Sequence, residues 1–259
     1  RGPLLDRLLD HLDPVFNGKL PANAYLYGPS GVGKSAVITA LFRHLNRLPT
    51  ETRTVIHTTT RAQSMTSPSF VYLDTRQTTS EFAFYHAVLD ALVEETVPEH
   101  GIGTETLRAR LHEELDGSRT GVVVAVDHVG EPRSTSESDL VDLFAGLPSN
   151  VSWLSMGRKR PAETELSEYT SESIRVDPYK QQMLVDVLMT RASVGLAQQA
   201  IDHQLANEIA AWANGNAHNA LAALFIATHH AEQADRSSLN RRDVEAAIEE
   251  IPIPCVSLG

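Results

Sequence analysis

The first 176 residues alternate between two hydrophobic patterns. Short apolar runs typical of strands occur at residues 24–27, 70–73, 121–126, 151–156 and 173–176, with a further candidate at 54–58. Apolar residues spaced by three or four predict helices at residues 4–12, 34–47, 80–95, 104–115 and 137–144. The valine-rich run at 121–126 is typical of a strand buried on both faces of a parallel sheet. This alternation predicts an α/β domain.

Beyond Asp177 and Pro178 the pattern becomes helical only. Helices are predicted at residues 179–194, 202–213, 216–234 and 240–250, the last with Asn240 as N-cap. Proline disfavours the helical conformation for the residue before it, which places a boundary at this point. We therefore expect a base domain at residues 1–177, a small all-helical domain at 178–250 and a tail at 251–259.

The charge and composition of the chain indicate the environment of the protein and the classes of partner that it can bind. Its net charge is -11, from 33 acidic and 22 basic residues. Such self-repulsion is screened at about 1 M salt, where the Debye length is about 3 Å, so the composition favours a halophile and argues against an extended basic face for DNA. The single cysteine, Cys255, excludes an intramolecular disulfide and a cysteine metal site. Without a long apolar run or a signal peptide, we expect a cytoplasmic protein that does not contact membranes.

A glycine-rich motif lies between the first predicted strand and the next helix. It has the form G-x-x-x-x-G-K-[ST] and consists of Gly28, Pro29, Ser30, Gly31, Val32, Gly33, Lys34 and Ser35. In such a P-loop the backbone amides curl around phosphates, the lysine meets the terminal phosphates and the hydroxyl binds Mg²⁺. A glycine turn without a ligand is the alternative, but the flanking strand and helix favour a site for ATP and Mg²⁺.

The second part of a P-loop site is a carboxylate at the end of a neighbouring strand. Asp127 directly follows the run at 122–126, so we assign it, with Ser35, to Mg²⁺. The next residue is His128, where fast ATPases usually carry a glutamate that activates water. Its imidazole can accept a proton or can serve as a packing and hydrogen-bonding group.

Two further polar clusters have competing interpretations. Arg158, Lys159 and Arg160 form the densest positive run, which suits either a phosphate contact or a solvated loop. His229 and His230 suggest a metal, but consecutive helical side chains point in different directions, which favours a solvated helix end.

The chain resembles archaeal origin-recognition and cell-division-control type replication initiators, a family of the AAA+ ATPase class. The resembling segments are residues 4–23, 71–76, 100–104, 122–127, 174–179, 189–192 and 215–221. The resemblance implies a three-layer P-loop base with a parallel sheet, followed by a helical lid. It also implies ATP or ADP with Mg²⁺ as ligands, and contacts to nucleotide from Tyr179 and His218.

Departures from the family pattern bear on hydrolysis. The position that is usually a polar asparagine falls near Gly157 and Arg158, the usual second-sensor arginine is His218, and residues 166–173 offer no arginine for a neighbour's nucleotide. Together with His128, these changes favour an ATP-binding switch with slow or absent hydrolysis.

The partners implied by the resemblance are origin DNA, through a winged-helix domain absent from this chain, and a second copy of the chain or other replication proteins. The chain begins at Arg1 rather than methionine, which suggests a processed chain or a fragment. The alternative is a regulatory or defence-type P-loop NTPase that senses a signal and oligomerises without a role at origins. A small-molecule kinase is disfavoured because no arginine-rich clamp for two phosphorylated substrates is present.

Overall fold

A computed structural model of the protein describes residues 3–52, 68–116, 121–197 and 199–252. Contacts within the chain divide it into two compact units. The first contains Arg1–Gly28 and Lys34–Val176, and the second contains Pro29–Gly33 and Asp177–Gly259. None of the helices in the described residues has the length and apolar character needed to cross a bilayer.

The first unit alternates helices and strands along the chain. Its strands are β1 (Ala24–Tyr27), β2 (Ser69–Asp74), β3 (Val122–Val129), β4 (Val151–Gly157) and β5 (Glu172–Arg175). Its α-helices are α1 (Pro3–Leu12), α2 (Lys34–Thr52), α3 (Glu81–Leu92), α4 (Thr104–Asp116) and α5 (Glu137–Ala145). Short 3-10 helices lie at Asp13–Asn17, Pro161–Glu163 and Glu165–Tyr169.

The described strands form one parallel sheet in the order β2-β3-β4-β1-β5. In β3, alternate residues point to opposite faces, and Val122 and Val123 are both buried, which means that both faces of the sheet are covered. Side chains from α3, α4 and α5 pack with Val122, Val124 and Val126 on one face. The predicted parallel α/β fold is confirmed.

The second unit is helical apart from its loop segments. Its helices are α6 (Gln181–Gly195), α7 (His203–Ala213), α8 (Ala217–Gln233) and α9 (Arg241–Glu250). Their apolar faces enclose a separate core that is rich in alanine and leucine. The predicted Asn240 cap is confirmed, because its side chain accepts a hydrogen bond from the Asp243 amide, and the Asp243 carboxylate bonds back to the Asn240 amide.

The boundaries of most elements lie within three residues of the sequence prediction, and the end of α2 differs most. We expected α2 to end before Pro49, but it continues to Thr52. Proline lacks an amide donor, and α2 ends within one turn after Pro49 rather than before it. The predicted strand at 54–58 and Cys255 lie outside the described residues.

Candidate functional site

Lys34 is the first residue of α2 and the central side chain of the candidate phosphate site. Its side chain is buried, and Nζ donates a hydrogen bond to the Gly28 carbonyl at 2.7 Å. Burial lowers the pKa of Lys34, the carboxylates of Asp127 and Glu131 oppose that shift, and Arg158 adds to it. A buried ammonium close to two carboxylates is suited to exchange its carbonyl partner for a phosphate oxygen.

The end of β1 is held from both sides at the point where the motif begins. The Gly28 amide donates to the Gly157 carbonyl of β4 at 3.3 Å, and the Val176 amide donates to the Tyr27 carbonyl at 2.7 Å. The carbonyl oxygen of Val176 would lie 2.3 Å from a Cβ at position 28. The close approach of this backbone therefore requires glycine at the start of the motif.

Asp127 lies near the end of β3. Both of its carboxylate oxygens and its backbone carbonyl accept hydrogen bonds, which fix its position. Oδ1 accepts from the His128 amide at 2.7 Å, and Oδ2 accepts from the Tyr72 hydroxyl at 2.7 Å. Its backbone carbonyl accepts from both the amide and the hydroxyl of Thr75, at 3.2 and 2.7 Å. With only 2% of its surface exposed, this carboxylate is preorganised rather than mobile.

His128 sits at an irregularity in β3 between Val126 and Val129, where its backbone adopts φ of 62°. Histidine tolerates this left-handed region better than most residues. Its Nδ1 lies 3.1 Å from Asp74 Oδ1 and 3.7 Å from Asp127 Oδ2. The distance from Nδ1 to Asp74 is that of an ion pair, but Nδ1 forms no hydrogen bond with any described residue. The imidazole thus lies between two carboxylates, and its role in hydrolysis stays a prediction.

Three polar residues at the carboxyl end of β2 belong to this site, although sequence reasoning assigned none of them a role. Tyr72 bonds Asp127, and Asp74 forms a bidentate pair with Arg76, with contacts of 3.0 and 2.7 Å. The hydrogen bond from Arg76 is the main cause of a lowered pKa for Asp74. Functional groups gather at the carboxyl ends of parallel strands, and this was the signal that could have found them.

The positive run after β4 is engaged by carboxylates of the same unit. Arg158 Nε lies 3.1 Å from Glu131, and Lys159 Nζ lies 2.8 Å from Glu137. The Arg160 amide donates to the side chain of Glu163 at 2.9 Å. These contacts show a structured turn, and Arg158 remains close enough to Lys34 to influence its pKa.

The middle of the glycine-rich motif is grouped with the second unit. The Gly31 carbonyl accepts from the amides of Ala217 and His218 at 2.9 and 3.3 Å, which satisfies two donors at the start of α8. Gly31 has φ of 74°, and a Cβ there would lie 1.9 Å from the Asn216 side-chain oxygen. The conformation and the close contact both require glycine.

Tyr179 and His218, the residues that the family resemblance assigned to nucleotide, have different environments in the second unit. The Tyr179 hydroxyl lies 3.3 Å from a Cβ built on Gly33, so the ring borders the motif. His218 is exposed at the start of α8 and contacts the motif through its backbone amide. Of the other motif residues, Pro29 and Ser30 are exposed, whereas Val32 is buried. A nucleotide contact by these residues stays a prediction.

The side chains in the first unit fit a magnesium ion. Ser35 supplies a hydroxyl and Asp127 a carboxylate, which are the hard oxygen ligands that Mg²⁺ prefers. The Tyr72 hydroxyl donates to Asp127, and Ser35 lies close enough to the same hydroxyl to lower the pKa of Tyr72, which places the two side chains near each other. Clusters of three or more histidine, cysteine, aspartate or glutamate side chains able to hold a metal do not occur in the described residues, including at His229 and His230.

A parallel sheet, a glycine-rich motif that leads into a helix beginning with Lys34 and Ser35, and a buried carboxylate at the end of β3 define a P-loop nucleotide-binding domain. The chain belongs to the AAA ATPase domain family, whose model matches residues 1–154. Membership in this family implies nucleotide binding, usually with Mg²⁺.

Several of the similar proteins come from archaea. The chain is 24% identical to the "ORC1-type DNA replication protein" of Thermococcus kodakarensis, over 95% of this chain and 60% of the relative. The Aeropyrum pernix ORC1 protein in complex with DNA matches with a TM-score of 0.75 and 24% identity, over 95% of this chain and 64% of that one. The Aeropyrum pernix ORC2 protein in its ADP form has a TM-score of 0.75 and 17% identity, over 96% and 68% of the chains.

These comparisons confirm the resemblance to archaeal replication initiators and the AAA+ fold. The chain spans about three fifths of the length of the curated relatives it matches.

Proposed function

We propose that this chain is the ATP/ADP-binding, Mg²⁺-dependent switch of a protein related to archaeal replication initiators, with slow or absent hydrolysis. Residues 1–177 would be the nucleotide-binding base and residues 178–250 the helical lid. The observation that carries the proposal is the buried Lys34 at the start of α2, in electrostatic reach of the preorganised Asp127. The similar proteins, which include a DNA replication protein and a protein in its ADP form, support it.

The residues would divide the work of binding. Lys34 supplies a buried positive charge that would meet the phosphate oxygens. Ser35 and Asp127 would hold Mg²⁺, which shields the charges of the phosphates. The backbone amides at the start of α2 add the partial positive charge of a helix N-terminus.

Slow turnover follows from the position after Asp127. His128 replaces the glutamate that usually orients the attacking water, and its Nδ1 already lies 3.1 Å from the Asp74 carboxylate. We therefore expect a turnover number below about 1 per second, which is low in the enzyme range. Nucleotide state rather than repeated hydrolysis would carry the signal, since a ligand shifts a conformational equilibrium by its different affinities for the two states.

We propose origin DNA as the partner of the full-length parent, contacted outside these 259 residues because this chain carries a net charge of -11. A second copy of the chain or other replication proteins would complete the assembly, in the cytoplasm of a halophile. The alternative of a regulatory or defence-type NTPase predicts that the full-length parent binds a partner protein but no specific duplex.

The test is ATP and ADP affinity by calorimetry, with turnover measured in the same samples, in about 1 M potassium chloride with Mg²⁺. Lys34→Ala should weaken ATP binding at least about tenfold, because a hydrogen bond to a charged group contributes about 1.5–3 kcal/mol. Lys19→Ala, an exposed lysine in the same unit, is the matched control and should bind as wild type does. Equal ATP affinity in Lys34→Ala and wild type would refute the assignment of the site.

A further inference from the structure

Tyr72 lies next to the predicted magnesium ligands and is not itself one of them. It occupies β2, and its hydroxyl donates to Asp127 Oδ2 at 2.7 Å. Ser35 lies close enough to the same hydroxyl to lower the pKa of Tyr72. The Ser35 and Asp127 side chains therefore both lie near one hydroxyl, although 92 residues separate them in the sequence.

The direction of the hydrogen bond to Asp127 follows from the single proton of a phenol. The Tyr72 hydroxyl donates this proton to Asp127 Oδ2. Burial raises the pKa of Tyr72, and the bond to Asp127 raises it further.

This hydrogen bond has a consequence for a cation. Asp127 is held at both carboxylate oxygens by neutral donors, the Tyr72 hydroxyl and the His128 amide. Each carboxylate oxygen has a further lone pair that a cation could use. Partners of metal ligands that fix orientation in this way typically change metal affinity by about 10–100-fold when they are removed.

We propose that Tyr72 is a positioning residue for Mg²⁺, which orients Asp127 through its hydroxyl. The proposal rests on the proposed function, since it assumes that Asp127 binds Mg²⁺ with the nucleotide. It assigns the hydroxyl, rather than the aromatic ring, as the group that matters.

The chain offers a matched control in Tyr25. This residue lies in β1 of the same sheet, is buried, and donates its hydroxyl to the Lys159 carbonyl at 3.0 Å. Burial is also the main cause of its raised pKa. Tyr25→Phe thus removes a buried hydrogen bond of similar length in the same unit without touching Ser35 or Asp127.

The experiment measures ATP affinity twice for each variant, with saturating Mg²⁺ and with excess chelator, at constant ionic strength. Tyr72→Phe should reduce the ratio of the two affinities at least about tenfold, while metal-free ATP binding stays within about twofold of wild type. Tyr25→Phe should leave the ratio unchanged. Thermal melts should show similar losses for the two variants, which separates positioning from a merely structural role.

A second pair of variants tests the route of the effect. Tyr72→Phe added to Asp127→Asn should cause no further loss of the magnesium effect, because the tyrosine acts through that carboxylate. A ratio in Tyr72→Phe equal to that in wild type would overturn the inference and leave the proposed function intact if Lys34→Ala still loses ATP. Absence of ATP binding in wild type would instead overturn the proposed function and the inference together.

Discussion

Substitution of Gly31 by alanine is expected to disturb the start of α8 in the second unit. Gly31 has φ of 74°, and a Cβ would lie 1.9 Å from the Asn216 Oδ1. The same oxygen caps α8 by accepting a hydrogen bond from the Asn219 amide at 2.9 Å. Alanine therefore fits only if the Asn216 side chain rotates away and the cap is lost.

The expected loss has two parts. The left-handed conformation costs a residue with a Cβ about 1–2 kcal/mol, and loss of an asparagine N-cap costs about 1 kcal/mol. We therefore expect Gly31→Ala to lower the free energy of unfolding of the second unit by about 2–3 kcal/mol. Gly18 is the control, because it has φ of 68° and nothing within 4 Å of a Cβ. Gly18→Ala should cost its own unit only about 1–2 kcal/mol.

A double-mutant cycle isolates the contact. Asn216→Ala alone should cost about 1 kcal/mol for the cap. The double variant with Gly31→Ala should be no less stable than Gly31→Ala alone, because the cap is already lost in both. The sum of the single effects should thus exceed the double effect by about 1 kcal/mol.

Tryptophan fluorescence during urea unfolding provides the assay. The sequence has two tryptophans, and Trp212 packs against the core of the second unit, so a Trp153→Phe background makes the signal specific to that unit. Gly18→Ala is followed in its own unit with Trp153 retained and Trp212→Phe. Additive effects of Gly31→Ala and Asn216→Ala would refute the contact, and equal losses for the two glycine variants would refute the assigned role of the clash.

Two carboxylates should give the stability a measurable pH dependence. Burial raises the pKa of Glu137, but hydrogen bonds from Lys159 and Thr164 outweigh this effect and hold the pKa below 4.5. The stabilisation that Glu137 contributes is therefore present above pH 4.5. It disappears as the pH falls through the lower pKa of the folded state. Glu137→Gln should cost about 1–3 kcal/mol at pH 7, and a loss that does not shrink in melts near pH 3 would contradict this account. Hydrogen bonds from Arg236 hold the pKa of Asp243 below 3.8, so Asp243→Asn should lower the melting temperature of the second unit at pH 7 but flatten its acid dependence. An equally steep acid dependence in the variant would show that other groups control it.

Much of the architecture was predictable because it depends on local patterns. The apolar runs of β1 and β3 and the cap at Asn240 depend on adjacent residues, and each appears in the structure. The spacing of Gly28, Gly33 and Lys34 likewise identifies a phosphate motif without any long-range contact. The sequence by itself therefore determined the fold class and predicted the place of the candidate site.

Tertiary structure alone decided which distant groups meet. The strand order β2-β3-β4-β1-β5 brings Asp74 opposite Asp127, and nothing in the local pattern of either strand specifies that register. The same pairing places Tyr72 against Asp127 and Asp74 against His128, across 55 and 54 residues of sequence. Side-chain periodicity predicts which face of an element is buried. Which strand becomes its neighbour, and in which register, depends on long-range packing, to which the whole core contributes. The network that surrounds the predicted magnesium ligands could therefore be found only in the folded chain.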